Sequence, residues 1–167
     1  MVAHINVGDA AAKFDLESDA GTRLTLKDFA GKWLVLYFYP RDNTPGCTRE
    51  AQGFSEAVNV FKKLGAAVVG VSRDSAKSHC GFRDKIGIRF PLLSDPDLVV
   101  HKAYGVWGTK VLYGREMEGT IRSTFLISPD GKIARVWTRV KVEGHVEAVA
   151  EALRDAQRRA DEKKPRS

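Results

Sequence analysis

The chain lacks the features that mark secreted and membrane proteins. It has only two cysteines in 167 residues, too few for the disulfide framework of a small secreted domain. Its longest apolar run, from Trp33 to Tyr39, is far shorter than the roughly 18 residues of a membrane helix. The first residues show neither a basic segment nor an apolar one, so no leader peptide is recognisable. These absences predict a cytoplasmic protein with no membrane partner.

Metal-ligand spacings are missing as well. His4, His79, His101 and His145 are scattered along the chain, and neither CxxC nor HxxxH occurs. His79 and Cys80 are neighbours, so on a helix they point to different sides. We therefore expect no metal site and no cofactor. Without a CxxC pair, dithiol exchange of the thioredoxin type is also excluded, which leaves a single nucleophile.

Acidic residues are fewer than basic ones, and the net charge is +6. Half of this excess lies between Arg154 and Ser167, where six basic residues accompany three acidic ones. No aromatic residue interrupts that stretch, although single-stranded nucleic acids bind to aromatic stacking platforms. We therefore expect no nucleic-acid partner, and we interpret the residues from about 159 onward as a basic, frayed tail.

Strand and helix patterns alternate along the chain. No linker or repeat divides it, and its 43% hydrophobic content suits one domain over residues 1–167. The predicted strands are 33–39, 66–71, 90–93, 121–127 and 132–137, and the predicted helices are 47–65, 75–87, 95–104 and 143–158. This order predicts an α/β protein whose central mixed β-sheet has helices on both faces, as in a thioredoxin-like fold.

Cys47 is the most informative residue of the sequence. A strand pattern ends at Pro40 and a helix pattern begins at Cys47, so the sulfur is predicted in the first turn of a helix. The unpaired N–H groups of a helix start stabilise a thiolate. Thr44 is close enough for its hydroxyl to hydrogen-bond the sulfur or an oxygen atom bound to it. The alternative is an inert, buried thiol.

The run Thr44-Pro45-Gly46-Cys47-Thr48-Arg49-Glu50, preceded by Pro40, resembles the active-site signature of the peroxiredoxins. It is most similar to the peroxiredoxin Q or bacterioferritin comigratory protein branch, which residues 90–95, 104–108 and 121–127 also match in order and spacing. The resemblance covers about residues 7–153. It implies a thiol-dependent peroxidase that reduces hydrogen peroxide and organic hydroperoxides through a cysteine sulfenic acid. Thioredoxin or a similar thiol donor would recycle the enzyme, which would serve antioxidant defence and redox homeostasis.

Carried over residue by residue, the resemblance makes Cys47 the peroxidatic nucleophile. Thr44 would orient the peroxide, Pro40 would shield the thiolate, and Arg122 would stabilise the thiolate and hold the leaving oxygen. Glu50 is our candidate for orienting Arg122 through a charge-assisted hydrogen bond. Each residue also has a structural interpretation: a helix cap, a strand stop, a surface arginine, and a carboxylate near a helix start.

The resolving cysteine is an open question. Many members of the branch carry it five residues after the peroxidatic one, where this chain has Gln52. Some place it on the following helix, where this chain has Cys80. We expect an exposed Cys80 that forms a disulfide with Cys47 once the helix starts unwind locally. If the strands after the two helices step in opposite directions across the sheet, these helices would lie on opposite faces. The alternative is a one-cysteine enzyme in which Cys80 is incidental.

The sequence is also compatible with a second class of function. A redox sensor without turnover, or a basic interaction protein, could be built on the same fold. Repeated consumption of peroxide in the presence of a thiol donor separates the enzyme from these alternatives. For the enzyme we expect a monomer, with a weak homodimer as the alternative.

Overall fold

The computed structural model describes residues 5–162. A short 3-10 helix at Leu26–Phe29 precedes the third strand. The strands are β1 (Asp15–Ser18), β2 (Arg23–Thr25), β3 (Trp33–Phe38), β4 (Ala66–Ser72), β5 (Leu92–Ser94), β6 (Trp107–Leu112), β7 (Arg115–Thr120), β8 (Ser123–Ile127) and β9 (Ile133–Thr138). The helices are α1 (Pro45–Glu56), α2 (Val58–Lys63), α3 (Ala76–Ile86), α4 (Val99–Ala103) and α5 (His145–Glu162).

Seven strands form the central sheet, in the order β2-β1-β5-β4-β3-β8-β9. The three middle strands β3, β4 and β5 are parallel, and antiparallel strands extend the sheet on both sides. The predicted mixed sheet is therefore confirmed. Strands β6 and β7 form a separate antiparallel hairpin, which the sequence analysis did not predict. Most of β7 is exposed and polar, so it lacks the apolar alternation by which strands are recognised.

Two cores lie on the two faces of the sheet. Alternate residues of β3 point to opposite faces, and both sets are buried, which explains the continuous apolar run of this strand. Val35 and Tyr37 pack with α1, α2, α3 and α5 on one face. Leu34, Leu36 and Phe38 pack with α4 and the N-terminal segment on the other. The expectation of helices on both faces is thus confirmed.

The helices α1 and α3 share one face. Strands β3, β4 and β5 are neighbours in sequence order, so both crossovers step in the same direction across the sheet. Two right-handed crossovers of the same direction place their helices on the same side. Phe54 of α1 and Phe82 of α3 accordingly belong to one core. The arrangement on opposite faces, which required steps in opposite directions, is wrong.

The predicted helix over residues 47–65 is divided and begins earlier. Thr44 is the N-cap of α1 and Pro45 its first residue, a position that suits proline because the missing N–H has no helical acceptor there. The helix ends at Glu56, and α2 follows after Ala57. Glu50 is therefore the sixth residue of α1, further from the helix start than the predicted boundary implied. A stabilising effect of the helix start on Glu50 is correspondingly weaker.

The C-terminal helix continues further than predicted. Residues 159–162, interpreted as a frayed tail, belong to α5, whose apolar stripe packs on the core through Val149 and Leu153. Gln157 also donates a hydrogen bond to the carbonyl oxygen of Leu64, which fixes a late turn of the helix. The remaining tail residues 163–167 and His4 lie outside the described residues. Over 5–162, no helix is long and apolar enough to cross a membrane.

Candidate active site

Cys47 lies in the first turn of α1, immediately beyond the C-terminal end of β3. It is 1% exposed and shares the buried stripe of the helix with Ala51 and Phe54. The Nη2 atom of Arg122 donates a hydrogen bond to the Cys47 Sγ atom at 3.3 Å. A buried sulfur at a helix start, in contact with a guanidinium group, is in an environment that stabilises the thiolate form.

The sheet register brings Arg122 to this position. It directly precedes β8, whose first residue Ser123 pairs with Phe38 at the end of β3. The start of β8 therefore lies beside the start of α1, because β3 and β8 are antiparallel. The side chain of Arg122 is 16% exposed, and its Nη1 atom donates to Glu50 Oε1 at 2.6 Å. One planar group thus bridges the thiol and the carboxylate.

Gly46 makes room for this bridge. A Cβ atom at residue 46 would lie 3.2 Å from Arg122 Nη2, the atom that contacts the sulfur. Any larger residue would press on the guanidinium group, so the glycine of the signature has a direct spatial reason.

Glu50 is a buried acid with incomplete hydrogen bonding. Its Oε2 atom has no hydrogen-bond partner among the described residues, and the same is true of the Tyr37 hydroxyl. Burial raises the pKa of Glu50 to about 7, although Arg122 acts to lower it. Burial acts to lower the pKa of Arg122, but Glu50 and Cys47 raise it, and the net shift is upward. Arg122 therefore stays charged while Glu50 titrates near neutral pH.

Thr44 and Pro40 precede Cys47 by three and seven residues, and within residues 5–162 neither forms a hydrogen bond with its sulfur. The Thr44 hydroxyl donates to the carbonyl oxygen of Arg41 at 3.0 Å. Among the described residues it forms no hydrogen bond with Cys47. Pro40 is half-buried just after β3. Thr44 occupies the N-cap position of α1 without a side-chain capping hydrogen bond, and Pro40 follows the strand. Their roles toward a bound peroxide stay predictions.

Cys80 differs from Cys47 in exposure and in its neighbour. Its side chain is exposed, as expected, and its Sγ atom donates a hydrogen bond to the carbonyl oxygen of Asp19 at 3.2 Å. Asp19 follows β1, which is separated from β3 in the sheet by β5 and β4. Both cysteines are free thiols. A disulfide between them requires Cys80 to leave Asp19, and its formation stays a prediction.

A buried contact between Asp42 and His79, which was not predicted, joins the two helix starts. Asp42 accepts hydrogen bonds from His79 Nδ1 at 2.8 Å, Tyr39 at 2.6 Å and Ser78 at 2.7 Å. The other ring nitrogen of His79 lies 2.9 Å from the carbonyl oxygen of Leu93. Burial would raise the pKa of Asp42, but hydrogen bonds from His79, Tyr39 and Ser78 lower it. The Asp42 carboxylate is therefore ionised.

A sequence signal for this pair existed. His79 belongs to the buried side of α3 together with Phe82, where a lone histidine needs partners. Asp42 is an acid within the signature segment. His145 carried no comparable signal: it is buried, its Nε2 atom lies 2.8 Å from Thr124 Oγ1, and burial together with Arg122 lowers its pKa to about 4.

Metal binding finds no support in the described part of the chain. Residues 5–162 contain no group of three or more His, Cys, Asp or Glu residues arranged to hold a metal ion. The polar groups around Cys47 consist instead of one cation, one buried acid and the N–H groups of the helix start. This arrangement suits the attack of a thiolate on a neutral electrophile.

Known proteins share this architecture. The AhpC/TSA family model matches residues 7–136. Peroxiredoxin Bcp of Xanthomonas campestris is 49% identical over 146 residues, which cover 86% of this chain and 91% of that protein. The structure of a cysteine-to-serine variant of PrxQ from Xylella fastidiosa aligns with a TM-score of 0.88 and 43% identity, over 93% of this chain and 99% of that one. A structure of the Xanthomonas campestris bacterioferritin comigratory protein, described for its alkyl peroxide reduction activity, aligns with a TM-score of 0.83 and 45% identity. The alignment covers 90% of this chain and 96% of that one.

Proposed function

We propose that Cys47 is the peroxidatic cysteine of this chain, which belongs to the AhpC/TSA family as a peroxiredoxin of the Bcp or PrxQ type. The chain is accordingly a thiol-dependent peroxidase that acts on peroxides with a thiol reductant. The observation that carries the assignment of Cys47 is its buried sulfur, 3.3 Å from Arg122 Nη2 at a helix start. Cys80, the other cysteine, has a carbonyl oxygen as its neighbour instead of a cation.

The reaction begins with the thiolate of Cys47. Its sulfur donates an electron pair to the nearer peroxide oxygen, so an S–O bond forms while the O–O bond breaks. The other oxygen leaves with the bonding pair and takes a proton from solvent to give water or an alcohol. Arg122 stabilises the thiolate before attack and the negative charge on the departing oxygen during attack. The N–H groups of Gly46 and Cys47, which have no helical acceptor, bind the peroxide.

Three further residues complete the proposed site. Glu50 holds the guanidinium group of Arg122 against the Cys47 sulfur through its 2.6 Å hydrogen bond. Thr44 turns its hydroxyl from Arg41 toward the peroxide oxygen when substrate is present. Pro40, half-buried after β3, limits the access of water to the thiolate. Glu50 is a positioning residue, since it acts through Arg122.

The finer identity of the partners belongs to the same proposal. Hydrogen peroxide and organic hydroperoxides are the substrates, in keeping with the alkyl peroxide activity described for the Xanthomonas campestris relative. Thioredoxin or a similar thiol donor is the reductant, the enzyme is a cytoplasmic monomer, and residues 1–167 belong to a single domain. A weak homodimer is the alternative.

The sulfenic acid of Cys47 condenses with the Cys80 thiol, releasing water, or directly with the external thiol if the enzyme uses one cysteine.

The test is peroxide turnover with a thioredoxin system. We expect the wild-type protein to consume many equivalents of hydrogen peroxide, and Cys47→Ser to consume none while keeping its fold, because the two side chains are nearly isosteric. Cys80→Ser is the matched control and should still react with one equivalent of peroxide. Substantial turnover by a folded Cys47→Ser protein would overturn the assignment. Oxidation of wild type without turnover would favour a redox sensor.

A further inference from the structure

The loops that precede α1 and α3 are joined by hydrogen bonds in both directions. Asp42 lies in the loop between β3 and α1, and its carboxylate contacts His79 and Ser78 of α3 at 2.8 and 2.7 Å. In return, the backbone N–H of Asp42 donates to Oδ2 of Asp74, in the loop before α3, at 2.8 Å. We call these four residues the helix-start network. It fixes the position of one loop relative to the other.

The helix-start network is buried and is anchored in the central sheet. Asp42 is 5% exposed and His79 is fully buried. The Asp74 carboxylate also accepts a hydrogen bond from Ser72, the last residue of β4, at 2.8 Å. The second ring nitrogen of His79 lies 2.9 Å from the carbonyl oxygen of Leu93 in β5. Loss of one bond leaves a buried polar group without a partner, so the members of such a network stabilise one another.

The two cysteines flank this network. Cys47 follows Asp42 by five residues, and Cys80 follows His79 directly. In the folded structure Cys47 is buried, whereas Cys80 is exposed and donates to the carbonyl oxygen of Asp19. A disulfide requires sulfur atoms about 2.05 Å apart and Cα atoms within about 7 Å. The segments that must move to form it are those whose positions the helix-start network fixes.

We propose that Asp42 and His79 are positioning residues for the second step of the reaction, the formation of the Cys47–Cys80 disulfide. In this step the Cys80 sulfur bonds to the Cys47 sulfur, the S–O bond of the sulfenic acid breaks, and the oxygen leaves as water with the Cys80 proton. The intact network keeps both helix starts in the geometry of the first step. Its opening frees both together. This inference deepens the proposed function and rests on Cys80 as the resolving cysteine.

The network thereby sets how long the sulfenic acid persists. A sulfenic acid that waits for its partner thiol can react with a second peroxide and become a sulfinic acid. Contacts that delay the opening therefore favour over-oxidation, and their loss favours the disulfide. A general loss of stability has no such directed effect on the two products.

A second buried Asp–His contact supplies the matched control. The ring nitrogen Nδ1 of His101 lies 2.7 Å from Asp95 Oδ2, and both side chains are buried as completely as those of Asp42 and His79. His101 belongs to α4, on the face of the sheet opposite to α1 and α3. Replacement of either histidine by alanine removes an equivalent contact, but only one of the two contacts connects the helices that carry the cysteines.

The test follows the products of one equivalent of hydrogen peroxide, with acid quenching at set times and mass spectrometry. Ser78→Ala removes one hydrogen bond from Asp42 and should form the disulfide about threefold faster than wild type. His79→Ala should form it at least about tenfold faster, and His101→Ala at the wild-type rate. Cys47 should be oxidised at the wild-type rate in Ser78→Ala and His101→Ala. With excess peroxide, the sulfinic fraction should fall in Ser78→Ala and His79→Ala. If His79→Ala does not fold, Ser78→Ala decides the test.

Three results would overturn the inference while Cys80 remains the resolving cysteine. The first is an unchanged rate of disulfide formation in Ser78→Ala or in folded His79→Ala. The second is an equal acceleration in His101→Ala, which would make general stability the cause. The third is slower oxidation of Cys47 in Ser78→Ala, which would assign the network to the first step. A failure of the proposed function looks different: no protein, wild type included, would form the linked pair, and the inference would fall with it.

Discussion

The starts of α1 and α3 share a strand–helix order, but different groups surround their cysteines. Each follows a parallel strand, and each carries a cysteine within its first turns. At α1 the sulfur of Cys47 is buried against a guanidinium group. At α3 the sulfur of Cys80 is exposed and donates to a carbonyl oxygen. A position near a helix start is therefore common to both thiols, and the nearby cation and the burial distinguish Cys47 from Cys80.

The polar groups behind the two cysteines also differ. Behind Cys80, the Asp42–His79 pair has a hydrogen-bond partner for both ring nitrogens and for both carboxylate oxygens. Behind Cys47, Glu50 Oε2 and the Tyr37 hydroxyl have none among the described residues. A satisfied buried network stabilises a fold, whereas unsatisfied buried groups cost stability and are typical of functional sites.

The largest expected effect is on stability, at the start of α3. His79→Ala leaves the buried, ionised Asp42 carboxylate without the ring that it contacts at 2.8 Å, and we expect the free energy of unfolding to fall by about 3–5 kcal/mol. Chemical denaturation measures this. The double variant Asp42→Asn/His79→Ala should recover part of the loss, since no charge is then left unpaired. A single variant as stable as wild type would show that the contact between Asp42 and His79 does not stabilise the fold.

The second effect concerns the start of α1. Arg122→Lys keeps a positive charge but cannot donate to the sulfur and to Glu50 with one planar group. We expect the second-order rate constant with hydrogen peroxide to fall about a hundredfold, as for the loss of a donor to developing charge. Stopped-flow measurement of thiol oxidation gives this rate. Arg83→Lys, which alters the ion pair between α3 and Asp19, is the control and should leave the rate unchanged.

The same two helix starts show which features of the fold and the site can be predicted from the sequence. The apolar run of β3 and the signature around Cys47 predict the central strand and the helix start, because both are local patterns. The contact of Arg122 with Glu50 joins positions 72 residues apart, and only resemblance to a family indicated it. The shared face of α1 and α3 depends on strand order, which no local pattern encodes. The β6–β7 hairpin was not predicted because β7 has no apolar alternation by which a strand is recognised.

A third prediction uses the buried acid at α1. The folded-state pKa of Glu50, about 7, lies above its ordinary value of 4.5, so the folded chain retains a proton that the unfolded chain releases. The associated stability is present below about pH 4.5 and is lost as the pH rises through 7. Glu50→Gln should remove this dependence, which is on the order of 2 kcal/mol between pH 5 and pH 7. Denaturation of both proteins at several pH values checks the sign. A steeper slope in the variant would contradict it.

A fourth prediction compares the two thiols directly. If Cys80 resolves the sulfenic acid of Cys47, one equivalent of peroxide should produce a linked peptide pair in a non-reducing digest. Cys80→Ser should then be over-oxidised to the sulfinic acid severalfold faster than wild type. Mass spectrometry distinguishes these species. A variant that turns over normally with thioredoxin, together with a digest free of the linked pair, would make the protein a one-cysteine enzyme.

The smallest expected effect comes from a single methyl group. In Gly46→Ala the new Cβ atom would lie 3.2 Å from Arg122 Nη2, tighter than an ordinary van der Waals contact. Position 46 is helical, so alanine causes no backbone strain, and the guanidinium group can yield by a few tenths of an ångström. The 3.3 Å hydrogen bond to the sulfur would lengthen or lose its alignment. We expect the rate with hydrogen peroxide to fall about threefold, which corresponds to about 0.7 kcal/mol, with stability unchanged or slightly higher.

Gly81→Ala, in α3 with open space around its Cβ position, is the matched control and should leave the rate unchanged. An unchanged rate in Gly46→Ala would show that the contact between Arg122 and the sulfur tolerates displacement.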